Sequence, residues 1–136
     1  MNKATNKATV AEQIARAAHA FEQQRTGQVP TSVTVVLSDT TLVVTVHGVL
    51  SPAERDLAQS PAGAAQVQEF HRELFLSACA PLRDEIQKIT GVEVREAAAQ
   101  VEPASGTVVQ VFSTGTMVEV FLLADRVPAS NWSGST

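Results

Sequence analysis

Residues 33–46 constrain the fold more than any other stretch. Val33, Val35 and Leu37 alternate with Thr34, Val36 and Ser38, and then Leu42, Val44 and Val46 alternate with Val43, Thr45 and His47. A period of two in β-branched residues is the mark of a strand, because successive side chains point to opposite faces. Asp39-Thr40 separates the runs by a length that suits a hairpin turn. The alternation is not cleanly apolar against polar. Val36 and Val43 place apolar groups on the face opposite Val33 and Val44. A sheet that is apolar on both sides needs a cover on both sides.

The segments around the hairpin have helical spacing. Thr9-Val10-Ala11-Glu12 fits a capping box, in which the threonine oxygen takes an early helix N–H and the glutamate reaches back to the cap. Val10, Ile14, Ala17, Ala18 and Phe21 follow at intervals of three and four, and Gly27 offers a stop, so the first helix is expected over 9–26. Ser51-Pro52-Ala53-Glu54 repeats the box with proline at the first helical position, where its missing N–H has no partner to lose. Ser60-Pro61 restarts a helix in a new direction. From there Val67, Phe70, Leu74, Ala78, Leu82, Ile86 and Ile89 form an apolar stripe over 61–90. Pro81 falls inside it, and a bend is expected near Ser77, whose carbonyl loses its donor.

Beyond Thr90-Gly91 the pattern is weaker. Val92–Val101 opens like a strand but is rich in Ala and Glu, which suit helices; its place after a helix stop favours a strand. Thr107–Phe112 and Thr116–Leu123 are strand-like, linked by Ser113-Thr114-Gly115. Met117, Phe121 and Leu123 face one way in the last strand; Val118, Val120 and Leu122 face the other. The expected fold is therefore α+β: an antiparallel sheet of four to five strands with helices on one face, in the order α-β-β-α-β-β(-β). One domain over 9–124 is expected between flexible segments at 1–8 and 125–136.

Composition narrows the partners. With 136 residues the chain has room for one core. Its net charge of −4 argues against a phosphate-coating surface, so no nucleic-acid partner is expected. Nothing approaches the run of ~20 apolar residues that a membrane span requires, and no apolar segment follows the basic start as in a secretory signal, so no direct membrane insertion is expected. The single Cys79 cannot form an intrachain disulfide, which is consistent with a cytoplasmic location. Asn131-Trp132-Ser133 matches a glycosylation sequon by chance on that reading.

Candidate chemistry is sparse. Neither Ser51 nor Ser60 lies in a nucleophile elbow, and both are expected to be helix caps. The histidines, His19, His47 and His71, lack metal-ligand spacing, and His71 stands two helical turns from Cys79, so neither metal nor cofactor is expected. Each glycine stands alone at an element boundary, which gives no phosphate cradle. A cluster of His47 with Ser51 and Glu54 beside Gly48 is the one arrangement that suggests acid–base chemistry or a small-molecule pocket. Cys79 beside Pro81 reads as a small buried residue at the bend.

These residues carry a resemblance. Gly27 to Pro30 after the first helix, Gly48 to Glu54 after the hairpin, Leu57 and Gly63, Pro81 within the long helix and the closing Thr90-Gly91 together resemble the MpsC family, over residues 9–95. Ala80 stands where that family commonly has arginine, and the segment after Gly91 is longer. The resemblance implies an accessory role beside a cation-coupled membrane system linked to membrane potential and inorganic-carbon supply; it brings no catalytic residues. Together with the doubly apolar sheet it leads to a non-enzymatic accessory or regulatory protein, expected as a homodimer and with a membrane-complex protein as a further partner. His47, Gly48, Ser51, Glu54, Cys79 and Pro81 mark its candidate functional surface. The competing expectation is an enzyme or binding protein with a pocket near His47.

Overall fold

A computed structural model describes residues 9–102 and 116–128. Helix α1 (Val10–Thr26) is followed by the hairpin β1 (Ser32–Ser38) and β2 (Thr41–His47). Three helices come next, α2 (Pro52–Leu57), α3 (Pro61–Ala78) and α4 (Ala80–Thr90), and then strands β3 (Val94–Glu102) and β4 (Thr116–Leu123). The four strands form one antiparallel sheet in the order β1-β2-β4-β3. The architecture is the expected α+β arrangement. The strand-like run at 107–112 and its link at 113–115 lie outside the described residues.

Register explains which side chains share a face. Val33, Val46 and Met117 are neighbours across three strands; so are Val35, Val44 and Glu119, and likewise Leu37, Leu42 and Phe121. These rows face the helices. Leu42, Val44, Val46, Met117 and Phe121 have no accessible surface, and each such apolar side chain contributes roughly 1.5–3 kcal/mol by leaving water. Phe75 of α3 lies edge-on between Phe21 of α1 and Phe121 of β4, with ring centroids 6.1 and 6.0 Å apart. That aromatic chain joins helix layer to sheet.

The helical layer differs from its expected form at two points. First, 61–90 is not one bent helix. The chain breaks at Cys79, which closes α3 and opens α4, two residues beyond the expected bend at Ser77. Proline has no N–H to donate to Ser77 and its ring crowds that carbonyl, but the same proline fits the first turn of a new helix. The chain uses the second property: Pro81 sits in the first turn of α4, and Arg83 N donates to Cys79 O at 2.9 Å. Second, the buried face of α3 is Gly63, Val67, His71 and Phe75, at intervals of four. Phe70, expected on the stripe, is instead 54 % exposed, its ring edge against His71 at 5.3 Å. The break at Cys79 frees α3 from continuing the stripe of α4, so α3 rotates to bury Phe75.

Strand β3 forms despite its helix-favouring residues. Ala97 and Ala99 point to the core beneath α3, where small side chains allow close approach. A bulge lies between Val94 and Glu96. After the sheet, Ala124 N donates to Glu93 O at 2.8 Å, and Val127 is buried.

Candidate functional site

The loop leaving β2 is built around one sharp turn. Gly48 has φ +75°, a left-handed conformation, and a Cβ there would lie 2.8 Å from Thr31 Cγ2. Thr31 N donates to His47 O at 2.9 Å, so the segment before β1 closes against the end of β2. The turn sends Val49 and Leu50 into the core, where both are fully buried. Ser51 then caps α2: its Oγ accepts from Glu54 N, and Glu54 Oε1 accepts from Ser51 N. The capping box read from the sequence is present in full, as is the one at Thr9 and Glu12.

Glu54 has a second role. Its other oxygen, Oε2, is 2.9 Å from Nε2 of His71, a buried residue of α3. With the carboxylate as acceptor, Nε2–H is the donor; Nδ1 is buried without a hydrogen-bond partner. One carboxylate thus caps α2 and ties it to α3. Ser60 Oγ caps α3 by accepting from Gly63 N at 3.0 Å. Both Ser-Pro serines are occupied in helix starts.

The six residues marked from the sequence do not form one cluster. Ser51 and Glu54 are joined, and the histidine that Glu54 meets is His71. His47 lies on the other side of the sheet, its Nδ1 3.3 Å from Thr116 Oγ1. Cys79 is buried and free at the α3–α4 junction. Pro81 is exposed and lines a shallow groove of about 450 Å³ between α1 and α4, with Ala17, Phe21 and Leu82.

Two further features emerge. The first is the sheet face turned away from the helices. Val36, Val43 and Val120 form a row across β1, β2 and β4; Thr34, Thr45 and Val118 form another; Ser38, Thr41 and Leu122 form a third. None of these nine residues carries a charge. Val36 is 54 % and Leu122 38 % exposed, and no described helix packs there.

The second lies in the core, where sequence reasoning found nothing. Glu22 is fully buried on α1 and paired with Arg25 one turn on, itself nearly buried. The Arg25 guanidinium lies 5.0 Å from the centre of the Phe21 ring and sends Nη2 to Met117 Sδ at 3.7 Å. Glu119 faces the same region from β4, two residues beyond Met117, with both carboxyl oxygens buried and unpartnered. Burial pushes its pKa up to about 8; the charge of Glu22 adds to the rise and that of Arg25 opposes it. A signal was available: Val10, Ile14, Ala18 and Glu22 run at intervals of four, and Glu119 stands between inward-facing Met117 and Phe121. An acid on the inward phase of an apolar pattern is the clue.

Among the described residues no helix is long and apolar enough to cross a membrane. A family model described as "Na+-translocating membrane potential-generating system (MpsC)" matches residues 6–116. An uncharacterized protein of Bacillus subtilis (strain 168), YbcI, is 27 % identical over 107 residues, which is 79 % of this chain and 86 % of that protein. No solved structure matches the chain. With most of its length matched, including the Gly48–Glu54 turn, the Ser60 cap and the Pro81 helix start, the chain belongs to the MpsC family.

Proposed function

We propose that this protein is a non-enzymatic accessory component of a sodium-translocating, membrane-potential-generating system, and that two copies pair through the open faces of their sheets. The family description supplies the setting. The observation that carries the pairing is the uncharged Val/Thr face on β1, β2 and β4 in a chain whose net charge is −4. Like-charged copies repel at long range, but these nine residues bring no charge into the contact; the exposed Glu96 of β3, opposite Leu122, lies at its margin. β-Branched side chains are already restricted at χ1, so ordering them on association loses little entropy. The face carries no lysine or arginine, which disfavours an anionic lipid surface as its occupant.

Sedimentation equilibrium of the purified chain at micromolar concentration tests this reading. The wild type is expected at twice the monomer mass, and Val120→Lys at the monomer mass with its far-UV circular dichroism unchanged. A wild-type monomer at that concentration, or a dimer indifferent to Val120→Lys, overturns the pairing. Co-purification with membrane components of the native cell tests the accessory role separately.

A further inference from the structure

Five of the six buried side-chain polar atoms without a hydrogen-bond partner among the described residues belong to Glu22, Arg25 and Glu119. Leaving one such atom unsatisfied costs about 1–3 kcal/mol, more when it is charged. An apolar residue at 119 would complete the row of Val35 and Val44 without that cost. The arrangement has to be read by its charge. Glu22 and Arg25 form a neutral pair, so the state of Glu119 decides whether the site is neutral or carries one buried negative charge.

We propose that Glu22, Arg25 and Glu119 form a one-proton site: a proton held on the Glu119 carboxyl keeps the cluster neutral and α1 seated on the sheet, and its loss loosens α1. The surroundings leave this carboxyl little other recourse. From α1 it faces Glu22 and Arg25. Its cross-strand neighbours are Val44 on β2 and Ala99 on β3, neither of which titrates. The buried titratable group of α3, His71, is engaged by Glu54. Helix α4 buries Leu82, Ile86 and Thr90, and α2 buries none of its residues. Arg25 is held by Glu22 and covered by Phe21 and Met117, and its one positive charge is already balanced by that carboxylate, so an ionised Glu119 leaves the cluster with one net negative charge. The element that gives way is the helix carrying that pair. Helix α1 has the sheet and α4 as its main neighbours, whereas β4 is hydrogen-bonded on both sides.

Two measurements on the full chain test this. In carbon-13-labelled protein, the Glu119 carboxyl resonance, identified by its loss in Glu119→Gln, is expected to titrate near pH 8. Amide exchange, corrected for its intrinsic pH dependence, is expected to show protection of α1 falling about tenfold or more between about pH 6.5 and 9 in the wild type. In Glu119→Gln, a neutral isostere of the protonated acid, α1 protection should stay constant within about twofold. A Glu119 midpoint in the ordinary carboxylate range overturns the proposal. So does a loss of α1 protection that is equal in the variant.

Discussion

Single residues in this fold are held by close contacts that allow sharp tests. At Gly63, in the first turn of α3, a Cβ would sit 1.8 Å from Leu57 O and 2.8 Å from Leu57 C. Both are backbone atoms at the end of α2, so no side-chain rotation relieves the clash. Gly63→Ala is expected to separate α2 from α3 and lower unfolding free energy by about 3 kcal/mol, read from the urea midpoint at unchanged slope. A change within about 0.5 kcal/mol, the size of an ordinary surface substitution, shows that the two helices do not meet as described. Glu54 and His71 meet at the same junction, and they show what was legible in the sequence and what was not. Ser51-x-x-Glu54 announced the cap because capping is local, set by four consecutive residues. The partner His71 lies 17 positions away and is chosen by packing; His47, nearer in sequence, projects from the open side of the sheet.

At the scale of elements, local rules again mark the starts and stops, while packing sets the directions. The hairpin was legible because alternation and β-branching agree. Strand β3 was ambiguous because its alanines favour helix; the close approach of α3 over Ala97 and Ala99 gives them a use in the sheet. The break at Cys79 was foreshadowed by Pro81 and displaced from Ser77 because proline started a helix as well as ending one. The α2–α3 connection gives a graded prediction. Ser51→Ala removes one cap acceptor and is expected to cost about 1 kcal/mol. Glu54→Ala removes the reciprocal bond and also leaves His71 buried without its partner, and is expected to cost about 2–3 kcal/mol. Denaturant titration of both variants checks the order. If Ser51→Ala proves as costly as Glu54→Ala, the bond to His71 adds nothing and α2 is held by its cap alone.

At the scale of the whole molecule, one buried acid sets a pH dependence of stability whose sign is fixed. Glu119 has an ordinary value of 4.5 and is raised to about 8 in the fold. Between those values the folded protein holds a proton that the unfolded chain has released, so unfolding free energy falls as pH rises. The stabilisation is fully present below pH 4.5, declines by roughly 1.4 kcal/mol per pH unit within the window, and is lost above about 8. Other carboxylates also titrate near the lower limit, which makes Glu119→Gln the necessary reference: it keeps the shape and the neutral charge but binds no proton. The two proteins should be about equally stable near the bottom of the window and diverge steadily above it, until the variant leads by several kcal/mol at the top. Urea unfolding of both at half-unit steps of pH measures this directly. Parallel curves, or a wild type that gains on the variant as pH rises, mean that Glu119 is ionised in the fold. The core would then hold a charge that Arg25 shares between two carboxylates.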